Sequence, residues 1–185
     1  MEHWSIGKSA LITDLSMCIN HYRIRTVGLF CCANAGVKFG DELLITDLIV
    51  VIGHGNRKQC EADFEKNYFV GPPNFIVEVH DDLKPNQAKQ RKQLYASSGV
   101  QEYLVLNEEL IKIEWNRLTN GKFKTIKPDK EGLIKSASLP GLWISIPALK
   151  KRDFMAVIAS IDHGLTRREH HELMDTIWNK DKQGN

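Results

Sequence analysis

The sequence predicts an α/β domain, at the border with α+β, in which a mixed sheet is flanked by helices. Two apolar segments with β-favouring residues, 43–52 (LLITDLIVVI) and 75–79 (FIVEV), are typical of buried strands. A polar segment, 81–98, follows the second of them and is typical of a surface helix that begins near Pro85. A series of short strand-like segments and two amphipathic segments complete the pattern.

The remaining elements follow from hydrophobic spacing and turn residues. Residues 6–24 predict a helix and 26–32 a strand, and a polar excursion occupies 56–69. Asn120-Gly121 predicts a hairpin turn between two further strands. Five short strands (103–106, 111–115, 123–126, 133–134 and 144–146) and two C-terminal helices (147–160 and 166–178) are expected.

Length and composition are those of one globular domain. The 185 residues, 42% hydrophobic and 26% charged, predict a single domain over 1–185 with a C-terminal helical extension at about 147–180. The net charge of +2 does not by itself indicate nucleic-acid binding. No apolar run approaches the roughly 20 residues that cross a bilayer, and the four cysteines form no CxxC pair. We therefore expect a cytoplasmic protein with reduced cysteines and no membrane partner.

Two acidic residues interrupt the apolar strands. Asp47 lies within 43–52 and Glu78 within 75–79. A buried carboxylate costs several kcal/mol unless it is paired, bound to a metal or placed near solvent. Each residue alone is explained by a strand end or a salt bridge, but the pair predicts neighbouring strands whose carboxylates converge on Mg²⁺ or Mn²⁺. Burial and mutual repulsion should then raise the pKa of at least one of them.

A basic run on the predicted helix follows the second acid. Lys89, Arg91 and Lys92 lie 11 to 14 positions after Glu78. Such a run is most often a solvated helix face. Downstream of a carboxylate site it could instead neutralise a phosphodiester and position the attacking water.

Several phrases of the chain, in order, resemble a known family. They are ITDLIVV at 45–51, PPNFIVEV at 72–79, KQRKQLYASSGVQEYLVL at 89–106 and LIKSASLPGLWISIPAL at 133–149. Together they resemble the mainly bacterial putative restriction endonuclease family of the PD-(D/E)XK nuclease superfamily. The resemblance covers about residues 40–150 and implies a restriction-endonuclease-like fold.

The resemblance also implies a site. Asp47 and Glu78 match the two acidic motif positions, which in such nucleases hold the metal together with the main-chain carbonyl that belongs here to Val79. Thr46 replaces the usual proline, and His80 stands where many superfamily members carry lysine. In this family the lysine stands four residues before a tyrosine, a position that Arg91 occupies here.

The position of the catalytic lysine therefore has two solutions. Arginine stays protonated and cannot exchange a proton at neutral pH. We expect Lys92 to act on the water, and Arg91 and Lys89 to bind substrate. Consecutive helical residues point about 100° apart, so only one of Arg91 and Lys92 can lean fully into the site.

Two functions follow from these observations. The first is a Mg²⁺- or Mn²⁺-dependent endonuclease that hydrolyses DNA phosphodiester bonds, with Asp47, Glu78 and Lys92 as catalytic residues. The second is a catalytically degenerate member of the fold that serves as a nucleic-acid-binding or assembly module. DNA is the expected partner in the first case, and a homodimer is left open.

Overall fold

The computed structural model describes residues 4–80 and 85–178, the side chain of Trp178 excepted, and arranges them as a mixed sheet flanked by helices. The predicted fold class is confirmed. The helices are α1 (Ile6–Arg23), α2 (Pro85–Ser98), α3 (Ile146–Lys150), α4 (Phe154–Leu165) and α5 (Arg168–Trp178). The strands are β1 (Leu29–Phe39), β2 (Glu42–Ile52), β3 (Glu61–Asp63), β4 (Tyr68–Val70), β5 (Phe75–Val79), β6 (Glu102–Leu106), β7 (Ile113–Thr119), β8 (Lys122–Ile126), β9 (Leu133–Lys135) and β10 (Trp143–Ser145).

The main sheet has eight strands in the order β3-β4-β1-β2-β5-β6-β7-β8. Its centre is β2 paired antiparallel to β5, and β5 paired parallel to β6. The parallel pair needs a crossover connection, which α2 supplies between β5 and β6. Strands β9 and β10 form a separate two-stranded sheet.

Two apolar cores lie against the sheet. The larger one joins α1 and the C-terminal helices to side chains such as Leu48 and Val77. The smaller one contains Tyr95 of α2 with Ile49 and Ile76, which alternate along their strands with members of the larger core. Strand β5, and β2 from Thr46 onward, are therefore buried on both faces, which explains their continuous apolar character in the sequence.

Several boundaries differ from the sequence prediction. Strand β1 continues to Phe39 instead of ending at residue 32, and the polar excursion contains β3 and β4. The predicted helix 147–160 is two helices, α3 and α4, separated by Arg152 with φ +54° and by Asp153, which caps α4. Positions 81–84 and 179–180, included in the predicted helices, lie outside the described residues. None of the helices described is both long and apolar enough to span a bilayer.

The β1–β2 pair changes its packing face where Asn34 adopts φ +51°. Before Asn34 the odd-numbered Cys31 packs on the larger core, whereas after it the odd-numbered Val37 belongs to the smaller one. Side chains alternate strictly along a regular strand, so such a change marks a local irregularity of the kind found near functional sites. Asp47 lies on β2 at this level, since the neighbouring register pairs are Ala33 with Leu48 and Ala35 with Thr46.

Candidate active site

Asp47 lies near the end of the β2–β5 ladder, where its carboxylate contacts both a cation and the backbone. Its Oδ2 accepts a hydrogen bond from the Val79 N–H at 2.8 Å and lies 2.8 Å from Lys8 Nζ. Both contacts are made by Oδ2, and Oδ1 is left without a hydrogen-bond donor from the described part of the chain. The side chain is 11% exposed, and Asp47 is among the residues that line a cavity.

Glu78 on β5 is almost completely buried, with 1% of its side chain exposed. Its Oε1 accepts hydrogen bonds from Arg91 Nη1 and Tyr95 Oη, both at 2.6 Å. Its Oε2 accepts from His80 Nε2 at 2.6 Å and from Tyr103 Oη at 2.8 Å. A carboxylate has about four lone-pair sites, and all four are engaged here.

This set of donors reverses the expected titration of Glu78. Burial alone would raise the pKa of its carboxyl, but the hydrogen bond from His80 and the charge of Arg91 together hold the pKa at about 2. The expectation of a raised pKa from burial and repulsion is therefore wrong for Glu78. The same neighbours act on Tyr95, because burial and then the Glu78 charge raise the pKa of its hydroxyl far above its ordinary 10.

The two acids open into one large cavity of about 1510 Å³ between α1, α2 and the sheet. The expected neighbourhood of Asp47 and Glu78 is confirmed in that β2 and β5 are adjacent and both residues line this cavity. The described lining residues are Trp4, Lys8, Ser9, Asn34, Glu42, Leu44, Ile45, Asp47, Glu78, Val79, His80, Gln87, Gln90, Arg91, Gln93 and Leu94.

Of the predicted basic residues, only Arg91 contacts the carboxylates. It also donates to the Ile45 carbonyl at 3.3 Å, so it spans from α2 to β2. Lys92 points elsewhere and is paired with Glu114 of β7. Lys89 is exposed, and neither lysine is among the described residues that line the cavity. The structure thus brings Asp47, Glu78 and Arg91 together and leaves Lys92 and Lys89 outside.

Lys8, in the first turn of α1, is the site residue that sequence reasoning missed. Helix α1 begins after Ser5, whose hydroxyl accepts from the Lys8 N–H, and this cap stabilises the first turn. A lysine 39 positions before Asp47 carries no local signal of contact with it. Only the packing of α1 against β1 and β2 brings its ammonium group to the carboxylate.

Both acidic residues are suitable ligands for a hard divalent ion, but Asp47 has an oxygen atom free of donors from the described residues and Glu78 does not. Carboxylate and carbonyl oxygens are the ligands that Mg²⁺ and Mn²⁺ prefer, and Asp47 retains Oδ1 for such a ligand. Glu78 could ligate an ion only if one of its four donors turned away. Within the described ranges, no cluster of three or more acidic, histidine or cysteine side chains has the geometry to hold a metal. A metal here would rely on two carboxylates and backbone oxygen.

The fold and the paired acids define an α/β domain with two carboxylates at one cavity. The sequence model of the putative restriction endonuclease family matches residues 7–147, about three quarters of the chain. The chain therefore belongs to the putative restriction endonuclease family.

One solved structure supports the fold independently. It is a crystal structure of a putative nuclease belonging to DUF820 from Anabaena variabilis. It shares 15% sequence identity with the chain at a TM-score of 0.63, over 81% of this chain and 83% of the other. At this identity the likeness concerns the fold alone. A comparison with curated proteins gave no match.

Proposed function

We propose that this protein is a metal-dependent endonuclease that hydrolyses DNA phosphodiester bonds. The observation that carries the proposal is the placement of Asp47 and Glu78 on adjacent strands at one cavity, with Lys8 and Arg91 beside them. Carboxylates beside cations can hold a divalent ion and a phosphodiester in the same space. Membership in the restriction endonuclease family supports the same reaction class.

The acidic residues of the site would hold the metal ion, and the basic residues would bind the phosphate. Asp47, Glu78 and the Val79 carbonyl would hold Mg²⁺ or Mn²⁺, an ion that supplies Lewis-acid polarisation of a phosphoryl oxygen when bound. Lys8 and Arg91 would each donate hydrogen bonds to phosphate oxygens, because both already lie in the cavity. The hydroxyls of Tyr95 and Tyr103 would orient the Glu78 carboxylate through their hydrogen bonds to it.

The proposal is tested by cleavage assays on plasmid, linear duplex and single-stranded DNA with Mg²⁺ or Mn²⁺. We expect activity that EDTA abolishes and that Asp47→Asn and Glu78→Gln each lower by at least about a hundredfold. Glu61→Gln, a carboxylate on the distant β3, is the matched control and should retain full activity. No cleavage by the parent under any of these conditions would contradict the proposal.

A second candidate, a DNA-binding or assembly module without hydrolytic activity, is favoured by one specific observation. All four acceptor sites of Glu78 are occupied, one of them by an arginine that stays protonated at neutral pH. A network so complete is stable without a metal and would resist ligation by Glu78.

Calorimetric titration with Mn²⁺ separates the two candidates. The nuclease proposal expects saturable binding that Asp47→Ala abolishes. It also expects tighter binding by Arg91→Ala, which removes both a cation and a donor from Glu78. Absence of binding by the parent and by Arg91→Ala would favour the module without catalysis.

DNA is the proposed partner and the cytoplasm the proposed location. Burial raises the pKa of the Cys31 thiol to about 12, and the charge of Cys32 adds to this effect. Burial also raises the pKa of the Cys60 thiol to about 12. Thiols held protonated in this way react slowly with oxidants, in keeping with a reducing compartment. A homodimer remains an open proposal, tested by sedimentation.

A further inference from the structure

The cavity around Asp47 is poor in free positive charge. Its described lining contains two residues with permanent positive charge, Lys8 and Arg91, and both contact carboxylates. Three acids, Glu42, Asp47 and Glu78, line it as well. Duplex DNA is held mainly by many Lys and Arg contacts to its phosphates. The described walls do not offer such a phosphate-binding stripe.

The cavity is instead rich in groups that contact bases. Trp4 lines the cavity and is packed against the larger core. Three glutamines of α2 also line the cavity, Gln87, Gln90 and Gln93. Their spacing of three residues places them along one side of the helix. Aromatic rings stack on unpaired bases, and amide side chains hydrogen-bond to base edges.

Trp4 and Asp47 both contact Lys8, so the ring and this carboxylate lie near one another. Lys8 Nζ lies over the Trp4 ring, 5.5 Å from its centroid, and 2.8 Å from Asp47 Oδ2. A base that stacks on this ring would replace the ammonium group there, and the ammonium group would turn to the phosphate. A base stacked on Trp4 would therefore have its own phosphate within reach of Lys8 and of the acids. In a paired duplex the base faces its partner and cannot stack on a side chain without being extruded.

We propose that this cavity binds an unpaired nucleotide, with the base stacked on Trp4 and hydrogen-bonded by the glutamines of α2. The inference rests on the proposed function for the phosphate, and it narrows the substrate to single-stranded DNA or to a locally unpaired strand. Arg91 and Lys8 then hold the phosphate, whereas Trp4 supplies the affinity that the charges do not.

Binding in the absence of divalent ions tests the proposal. Fluorescence anisotropy in EDTA, with labelled oligonucleotides of one sequence in single-stranded and duplex form, should show at least tenfold tighter binding of the single strand. Trp4→Ala should weaken that binding about five- to a hundredfold, whereas Trp4→Tyr, which retains a stacking ring, should come close to the parent. Phe64→Ala removes an aromatic ring that is 77% exposed outside the cavity and should bind as the parent does.

An abasic oligonucleotide makes the test specific for stacking. It keeps every phosphate but has no bases, so the parent and Trp4→Ala should bind it equally. Equal affinity for duplex and single strand, or the same loss by Trp4→Ala on the abasic strand, would overturn the inference. Because binding is measured without hydrolysis, failure of the nuclease proposal leaves this result unchanged. Conversely, cleavage of duplex DNA by a protein without single-strand preference would overturn only the present inference.

Discussion

Glu78 is a buried acid whose charge is stabilised by the folded state, so its ionisation is linked to folding. Its pKa is about 2, below the ordinary 4.5, and the unfolded chain therefore binds the proton more readily. The stabilisation is complete above about pH 4.5 and is lost as the pH falls towards 2. From pH 6 to pH 3 we expect the free energy of unfolding of the protein to fall by about 2 kcal/mol because Glu78 becomes protonated more readily in the unfolded chain.

Urea unfolding of the parent and of Glu78→Gln at a series of pH values measures this contribution. The variant lacks the titrating group, so the difference between the two free energies of unfolding should shrink by that amount as the pH falls. A difference that stays constant from pH 6 to pH 3 would contradict the depressed pKa.

We expect substitutions of Lys8 and of Lys92 to have different effects on the rate of hydrolysis. Lys8 contacts Asp47 inside the cavity, whereas Lys92 is paired with Glu114 outside it. We expect Lys8→Ala to lower Mn²⁺-dependent cleavage by at least about tenfold, with partial rescue by Lys8→Arg, and Lys92→Ala to lower it less than twofold. A larger loss for Lys92→Ala than for Lys8→Ala would instead support the role for Lys92 predicted from the sequence, which stays a prediction until this assay.

At the scale of the secondary-structure elements, a second buried carboxylate holds several of them together. Glu102 begins β6 and is fully buried. Its Oε1 accepts from Trp115 Nε1 at 3.1 Å and from Arg117 Nε at 2.9 Å, both on β7. Its Oε2 accepts from the hydroxyls of Ser136 and Ser138, in the loop between β9 and β10. One side chain thus connects the main sheet to the two-stranded sheet.

Loss of this carboxylate should destabilise the protein strongly. Glu102→Ala removes the buried carboxylate that Arg117 Nε and the two serine hydroxyls share as an acceptor, and breaking a buried pair costs about 3–5 kcal/mol. We expect a loss of that size in urea unfolding, with a smaller loss for Glu102→Gln, which keeps an acceptor oxygen. Glu131→Ala, an exposed acid, is the matched control and should change the stability by less than about 0.5 kcal/mol. Equal stability of Glu102→Ala and the control would contradict this role.

The secondary-structure elements that could be predicted were those with a clear local pattern of apolar residues or turn residues. Strand β5 and the β2 core were predicted from apolar runs because both faces of these strands are buried. The β7–β8 hairpin followed from Asn120-Gly121, which have φ of +50° and +72° and therefore suit a type I′ turn. The end of β1 was missed because Ala, Asn and Gly at its bend carry no strand signal.

A site residue was predictable from the sequence only where its type differs from that of its neighbours along the chain. Asp47 and Glu78 were conspicuous as charges in apolar strands. Arg91 and Lys92 are neighbours on one helix, and the direction of each depends on how α2 rotates against the sheet, which the sequence pattern left open. The contact of Lys8 depends on the docking of a distant helix, so it could emerge only from the tertiary structure.

At the scale of the whole molecule, charge predicts how binding should respond to salt. The chain has 25 basic and 23 acidic residues, and the described cavity lining offers Lys8 and Arg91 as its permanent cations. Each phosphate neutralised on a single strand contributes about −0.7 to the slope of log K against log salt concentration. Two contacts therefore predict a slope of about −1.4 for an unpaired strand.

Anisotropy titrations of a single-stranded oligonucleotide in EDTA over a range of KCl concentrations measure this slope. Lys8→Ala should reduce its magnitude by about 0.7, because one phosphate contact is removed. Trp4→Ala should lower the affinity at every salt concentration and leave the slope unchanged, since stacking releases no counterions. Lys122→Ala, an exposed lysine on the edge strand β8, should change neither quantity. A slope steeper than about −4, with a decrease on Lys122→Ala, would mean that a broad basic surface outside the cavity carries the binding.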